Sequence, residues 1–364
     1  MPLLELIRAA GTLFDRFLQI THFSMYKIKC KTSNLLIAIG FVFIQTLSAC
    51  SHNGNNTPAW EWDDPISDSA SIDSTILAQG WKLQTGFGNL PSYIKVYKSS
   101  ATLLNKNAIA YIAVADMSKG ATFNVLGEAS GYKTPTEFYN ADNAPIIING
   151  GYFWDGSSLS MLCRDSKVIC PNNQIEYRSN ATVLYYPTRG AFGLMTDGTY
   201  KVNWIYTNND VTYSYPAPAE NKSGTTPLAM PSASFPAGAT LWKAKTAIGA
   251  GPVLIKDGKA INSFSEELFD DESGIQPEIN APRTSIGITK KGFMIFFVCE
   301  GRNMTPGVAG FTLAEETKIL QSIGCVEALN LDGGGSSCML INGKETIKPS
   351  DGTQRKVVTA VSFK

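Results

Sequence analysis

The feature that most constrains this chain is the stretch Leu329-Asn330-Leu331-Asp332-Gly333-Gly334-Gly335-Ser336-Ser337. It lies between one apolar run, Val326 to Leu331, and a second, Met339 to Ile341. Each glycine held in a packed region loses more backbone freedom on folding than another residue does. Three in a row after a strand therefore imply positive φ angles or a close backbone approach. Successive glycine N–H groups can also turn inward as an anion-binding concavity, with Ser336 and Ser337 adding hydroxyl donors. Asp332 sets a carboxylate at its mouth. Gly333, Gly334, Gly335, Ser336 and Ser337 are accordingly expected to bind substrate.

The chemistry open to the chain is limited by its histidines. There are two, His22 and His52, and both precede the segment that reads as the folded body. That removes Ser-His-Asp and Cys-His nucleophile systems and histidine-ligated transition metals. Catalysis must use carboxylates, Arg, Lys, Tyr, hydroxyls and backbone donors. No cofactor and no metal site are expected, and a metal here would be a hard cation such as Ca²⁺ or Mg²⁺ held by oxygens. Lys+Arg and Asp+Glu are both 31. The balance gives no field to gather nucleic acid, and no nucleic-acid partner is expected.

Residues 1–50 read as a signal region. Lys27, Lys29 and Lys31 form a basic segment, and Leu35 to Leu47 is an apolar segment too short to span a bilayer comfortably. It ends in Leu47-Ser48-Ala49-Cys50, which resembles a bacterial lipobox, so Cys50 is the expected lipidation site. Translation from Met25 would fit such a signal and leave residues 1–24 as a mis-assigned start. Residues 51–75, rich in Ser, Asn, Asp and Pro, read as a solvated tether. The expected location is the bacterial cell envelope, with the protein lipid-anchored and monomeric. Cys163 and Cys170 flank a short polar loop, and a disulfide between them suits an exported protein. Cys299, Cys325 and Cys338 lie in or beside apolar runs and read as buried thiols.

The body, 76–364, reads as strand-dominated. Tyr93 to Tyr97, Ala108 to Ala115, Ala121 to Leu126 and Pro145 to Ile148 are strands, the last running into Asn149-Gly150-Gly151-Tyr152-Phe153-Trp154. Asp197-Gly198 and Asn342-Gly343 mark hairpins. Thr134-Pro135-Thr136-Glu137 opens a short helix, and Thr312 with Glu315 has capping-box spacing for a longer one ending before Gly324. From 207 to 240 the chain is rich in Pro, Ala, Ser and Asn without periodicity, which marks an insert, a flap or a disordered segment. The class is α+β, a mixed, strand-dominated sheet with a few packed helices.

Five blocks in order carry a resemblance: Asn149 to Phe153, Gly249 to Leu254, Pro282 to Gly287, Gly310 to Glu315 and Ala328 to Ser337. Together they resemble the phosphodiester glycosidase family, over most of residues 90–364. The resemblance implies cleavage of a sugar-1-phosphodiester at its glycosidic side, N-acetylglucosamine leaving the phosphate. The implied partner is such a phosphodiester or a phosphorylated glycan. Two departures stand out. Glu300-Gly301-Arg302 replaces the Asp-Gly-Arg of many relatives, and Cys338 stands where a Thr often follows the two serines.

For that reaction the leaving phosphate monoester needs little proton donation, and the demand shifts to holding the anion and stabilising an oxocarbenium-like centre. Arg283 is expected to fork onto phosphate oxygens, with Arg302 and Arg355 adding contacts or securing loops. Asp332 and Glu300 are the expected catalytic carboxylates, one as nucleophile or cation stabiliser and the other activating water. A bridging cation at Asp332 stays open. Asn149, Asn330, Gly150, Gly151 and Tyr152 are candidates for sugar contacts, although each Asn equally suits a local backbone bond. A glycan-binding protein that lost turnover is the alternative reading.

Overall fold

The computed structural model describes residues 71–179 and 181–364. The expected signal region, Cys50 and the tether as far as residue 70 lie outside the described residues. Ser71 caps the first helix, α1 (Ile72–Ala78), by accepting a bond from the Ser74 amide. Ile76 of α1 is fully buried, and Asp73 bonds Lys95 and Tyr97. Helix α1 thus covers residues 72–75, which the composition had placed in the tether.

The fold is α+β and strand-dominated. Three sheets make up the bulk of it, and every strand pair among the described residues is antiparallel, so the mixture is of sheets and helices rather than of strand directions. The first sheet has eight strands. Its centre runs Ala110–Asp116, Phe293–Cys299, Arg283–Thr289, Cys325–Asn330, Val253–Lys256. Period-two alternation gives this sheet two apolar faces. Met294, Phe296 and Val298 enter the main core, while Ile295, Phe297 and Cys299 enter a second core beneath a helix.

The second sheet, of seven strands, centres on Ala244–Gly249, Arg189–Met195 and Tyr200–Asn208. The third, of five, holds Met339–Ile341, Ile146–Asn149 and Thr359–Phe363. Aromatic pairs join the layers: Phe296 stacks on Phe363 at 3.6 Å, and Phe123 meets Phe192 edge-on at 5.7 Å.

Helices α2 (Pro135–Asp142) and α3 (Leu313–Ser322) start where the sequence places them, each with a complete capping box, Thr134 with Glu137 and Thr312 with Glu315. Helix α3 buries Leu313, Ile319 and Leu320 and delivers the chain through Gly324 into Cys325–Asn330.

Two expectations change. The stretch from 207 begins as a hairpin, Tyr200–Asn208 pairing with Val211–Tyr215 across Asn209-Asp210, both at positive φ. Only residues 216–239 are irregular, and they are fastened down. Tyr215 and Asn208 donate to the Ser232 and Pro231 carbonyls, Tyr185 to the Thr225 carbonyl, and Asn221 is buried.

The second is the Cys163–Cys170 disulfide, which is not formed. Cys163 faces Val168 across the ladder and Cys170 faces Leu162. Adjacent residues on a strand point to opposite faces, so Cys163 enters one core cluster and Cys170 another.

Candidate active site

The glycine loop forms where two sheets end. Cys325–Asn330 from the first sheet and Ile146–Asn149 from the third converge, and the Asp332 amide donates to the Gly150 carbonyl at 3.1 Å. Asn149, fully buried, ties both ends of the loop. Its Nδ2 donates to the Asp332 carbonyl at 2.7 Å, and its Oδ1 accepts from the Cys338 amide at 3.1 Å and the Thr284 hydroxyl at 2.9 Å. With its amide so engaged, Asn149 acts as a clamp and not as a sugar ligand.

Three of the five loop amides are spent inside the protein and leave the expected anion cradle incomplete. Gly334 N donates to the Pro282 carbonyl, Ser336 N to that of Gly333 and Ser337 N to that of Gly334, closing a 3₁₀ turn over Gly334–Ser336. The glycines serve the other purpose. A Cβ on Gly334, whose φ is +59°, would lie 2.7 Å from Arg302 Nη2. One on Gly335 would lie 2.0 Å from Arg355 Nη2 and 2.3 Å from Asp351 Oδ2. Bare backbone is what lets two guanidinium groups lie against the turn.

Asp332 is partly exposed in the wall of a cavity of about 870 Å³ that Arg355 also lines. Burial pushes its carboxyl up to about 6, while the Ser336 hydroxyl, Arg355, the Gly333 amide and Arg302 pull it back. Arg355 is oriented by Asp351, with Nε at 2.7 Å and Nη2 at 2.6 Å from Oδ2, and its Nη1 donates to the Ser336 hydroxyl at 3.3 Å. Arg302 donates to the Ser350 hydroxyl at 3.3 Å. A proton-exchanging carboxyl and two partly solvated guanidinium groups thus share one turn.

Arg283 does not join them. It is 2% exposed, and its guanidinium donates to four backbone carbonyls, those of Phe311 at 2.9 Å, Gln276 at 2.9 Å, Ile279 at 2.7 Å and Ile275 at 3.4 Å. It clasps the segment 275–279, of which Ile275 lines the cavity, and is not placed to fork onto a phosphate. Glu300 is absent from this cavity too. It is 2% exposed, accepts from the Lys348 amide at 3.3 Å, and lines a separate cavity of about 510 Å³ with Lys98 and Tyr111. The strands bearing Glu300 and Asp332 sit two places apart in the sheet, with Arg283–Thr289 between them.

The remaining candidates are largely structural. Cβ atoms on Gly150 and Gly151 would lie 2.3 Å from Thr359 Oγ1 and 2.4 Å from the Gly249 carbonyl, so these glycines mark tight crossings of buried backbone. Asn330 Nδ2 and the Tyr152 hydroxyl both donate to the Gly251 carbonyl, at 2.8 and 2.6 Å. Tyr152 still presents its ring to the cavity, and burial, together with Asp332, holds its phenol well above the ordinary range. Ser337 is buried. Among the described residues no three His, Cys, Asp or Glu side chains converge as a metal site.

The far wall of the cavity was not legible in the sequence. Arg189 stacks over Phe269 at 4.4 Å and pairs with Glu176 at 2.5 Å. Beneath them lies Glu267, fully buried and accepting from the amides of Val253 (2.8 Å) and Gly190 (2.7 Å), the Trp204 indole (2.9 Å) and the Ser263 hydroxyl (2.5 Å). Burial pushes its carboxyl up to about 7 despite those donors. It ties the first sheet to the second. No local pattern announces it, because its partners lie up to 77 residues away.

Comparison with known proteins agrees with this architecture. The catalytic domain of zebrafish N-acetylglucosamine-1-phosphodiester alpha-N-acetylglucosaminidase, auto-inhibited by its pro-peptide, superposes with a TM-score of 0.51 at 18% identity, covering 81% of this chain and 93% of that one. A hypothetical protein from Synechocystis also gives 0.51 at 18% identity, covering 78% of this chain and 68% of its own. At such identity the likeness concerns the fold. In sequence, the human N-acetylglucosamine-1-phosphodiester alpha-N-acetylglucosaminidase is 38% identical over 104 residues, 29% of this chain and 19% of that protein. The SPbeta prophage-derived uncharacterized protein YomE of Bacillus subtilis is 29% identical over 120 residues, 33% of this chain and 17% of its own. The matched segments thus span about a fifth of the curated relatives. The family model for phosphodiester glycosidases matches residues 142–364, more than half of the sequence, and the chain belongs to that family.

Proposed function

We propose that the protein hydrolyses the glycosidic bond of a sugar-1-phosphodiester of the N-acetylglucosamine-1-phosphate type. The observation that carries this reading is the pairing of Asp332, held near 6, with Arg355 on one wall of a cavity large enough for a sugar and its phosphate. Arg355, aided by Arg302, holds the phosphate oxygens; a guanidinium presents parallel N–H donors to them. The C1–O bond breaks with its electron pair passing to the phosphate, which needs no proton to leave. Water adds to C1, and ionised Asp332 takes the proton that water loses. Cavity-lining aromatic rings such as Tyr152 pack the apolar face of the sugar.

A binding-only protein is the second reading, favoured by one observation. Glu300 lines another cavity, so the expected Glu300–Asp332 pair is not assembled. Incubation with an N-acetylglucosamine-1-phosphodiester in ¹⁸O water separates the readings. Label in the sugar supports glycosidic cleavage, label in the phosphate means P–O cleavage, and no product with retained affinity leaves binding alone. Export and lipid anchoring rest on Leu47-Ser48-Ala49-Cys50. Mass spectrometry of the mature N-terminal peptide tests them, with an acylated Cys50 expected and an unmodified residue contradicting the anchor.

A further inference from the structure

Glu300 is buried, yet it lies outside the Asp332 cavity and takes no part in the cleavage described above. Its Oε2 accepts from the Lys348 amide at 3.3 Å, and its Oε1 finds no hydrogen-bond donor among the described residues. Taking a carboxylate out of water is costly, and a single main-chain donor offsets little of it. A side chain held on such terms is kept for what it positions rather than for stability. What it grips is the arc Lys348-Pro349-Ser350-Asp351. Between Lys344–Glu345 and Thr359–Phe363 the chain forms no strand. The Gly352 amide donates back to the Pro349 carbonyl at 3.0 Å, and among the described residues no main-chain pair ties 348–351 to another segment. Two side chains do so instead. Glu300 holds the Lys348 amide, and Arg302 donates to the Ser350 hydroxyl at 3.3 Å. Gly301 between them passes against other backbone, for a Cβ there would lie 2.6 Å from Pro282 N and 2.8 Å from the Ala309 carbonyl oxygen. Arg302 itself stands at φ +55°, where a glycine would be less strained, so the position retains its guanidinium. The arc ends in Asp351, whose Oδ2 accepts from Arg355 Nε at 2.7 Å and Nη2 at 2.6 Å.

We propose that Glu300 is a positioning residue: with Arg302 it clamps the arc 348–351, and the clamped Asp351 aims Arg355 at the substrate phosphate. This rests on the phosphate role given to Arg355 above. Glu300 touches neither the substrate nor Asp332 and acts through the main chain of Lys348. The clamp therefore asks residue 300 for an acceptor oxygen at the end of a two-methylene arm, and for neither a charge nor a proton. Glutamine supplies that oxygen. Aspartate does not, because the Lys348 bond is already 3.3 Å long and an arm shorter by one methylene leaves it out of range. Glu300→Asp, which restores the carboxylate of many relatives, should thus release the arc in this chain, whereas Glu300→Gln should hold it. A proton-transferring or charge-stabilising Glu300 would give the opposite order, since glutamine can do neither.

The test takes wild type, Glu300→Gln, Glu300→Asp and Glu300→Ala through two measurements. One is kcat and KM on the methyl phosphodiester of N-acetylglucosamine-1-phosphate; the other is hydrogen exchange at the Lys348, Ser350, Asp351 and Gly352 amides. Glu300→Asp and Glu300→Ala are expected to raise KM about tenfold and to speed exchange across the arc. Glu300→Gln is expected to stay within about twofold of wild type in KM and to keep the arc protected. In an Asp351→Ala background, where Arg355 has already lost its guide, Glu300→Ala should raise KM no further. Should Glu300→Ala not fold, the contrast between Gln and Asp carries the test. A loss of a hundredfold in kcat for Glu300→Gln, a wild-type KM for Glu300→Asp, or a full further loss in the Asp351→Ala background overturns the clamp. If the wild type cleaves nothing, the glycosidase reading falls, and exchange alone decides the clamp: equal rates in all four proteins overturn it, and protection in wild type and Gln but not in Asp upholds it.

Discussion

Asp332→Asn should make this protein more stable and, at the same pH, inactive. The sign follows from the carboxyl's displacement from an ordinary value of 3.8 to about 6. A group whose folded-state value is raised binds its proton more tightly when folded, so it favours folding while protonated and opposes it once ionised. Below about 4 the group is protonated in both states and imposes nothing. Between about 4 and 6 its contribution falls as pH rises, and above 6 the full penalty applies. Two pH units correspond to about 3 kcal/mol. Partial exposure of Asp332 discounts that to roughly 1–3 kcal/mol. At about 2.1 cal/mol/K per residue over residues 71–364, each kcal/mol moves Tm by roughly 1.6 °C, so the gain is about 2–5 °C. Glu267 and Glu316, each pushed by burial up to about 7, titrate in the same range, so only the difference between wild type and variant isolates Asp332. Thermal unfolding of both proteins at pH 4 and pH 8 is the assay, with hydrolysis measured in parallel. The variant should gain Tm at pH 8, gain nothing at pH 4, and lose on the order of a hundredfold or more in kcat. An equal or lower Tm at pH 8, or the same offset at both pH values, refutes the reasoning.

Gly335→Ala should fold, because the atoms its Cβ strikes are the side-chain ends of Arg355 and Asp351, both on a surface turn. Displacing that guanidinium should raise KM on the order of tenfold while Tm moves by less than about 2 °C; an unchanged KM detaches Arg355 from substrate. Arg283→Met should behave oppositely. With four carbonyls left short of a donor, it should destabilise by about 3 kcal/mol or more in denaturant titration, whereas a normal stability with a raised KM would restore it as a phosphate ligand. Cys163, Cys170, Cys299, Cys325 and Cys338 should all titrate as thiols in denaturant without reductant, and a reducing agent should leave Tm unchanged; loss of two thiols would show that the Cys163–Cys170 bridge forms after all.

What could be read from the sequence is what short segments decide for themselves. The capping boxes at Thr134 and Thr312 fix helix starts within four residues, and Asp197-Gly198 and Asn342-Gly343 turn the chain within three and two residues. The glycine run marked the right turn for the same reason, since three missing side chains demand something close by. What they admit was misread, because an amide cradle and a bed for guanidinium groups require the same residues. Arg283 and Arg355 cannot be told apart by composition. One follows Pro282 into a central strand and ends inside the body; the other sits on a surface turn beside Asp351. Only the order of distant strands decides which reaches the cavity. Glu300 fails for that reason as well. It ends Phe293–Cys299, and Arg283–Thr289 lies between that strand and the one leading to Asp332. The far wall, with Arg189 and Phe269 over the buried Glu267, is assembled across two sheets and leaves no mark on any single window of sequence.

The pairing of a carboxylate with an anionic substrate carries a further consequence. A phosphodiester bound against Arg355 brings a negative charge toward Asp332, and a like charge disfavours ionisation. Arg355 and Arg302 already pull the Asp332 carboxyl down in the free protein. Once their donors turn to phosphate, that help is shared and the carboxyl must rise above its free value near 6. The free protein governs kcat/KM and the complex governs kcat. If ionised Asp332 is the base, activity falls on the acid side in both profiles. The acid limb of kcat/KM should lie near pH 6, and that of kcat should lie about half a unit to one unit higher. Initial rates from pH 4.5 to 8.5, at substrate levels below and above KM, give both limbs. A kcat limb at or below the kcat/KM limb would mean that phosphate binds too far away for Asp332 to sense it. The leaving group and the base would then have to be sought in different parts of the cavity.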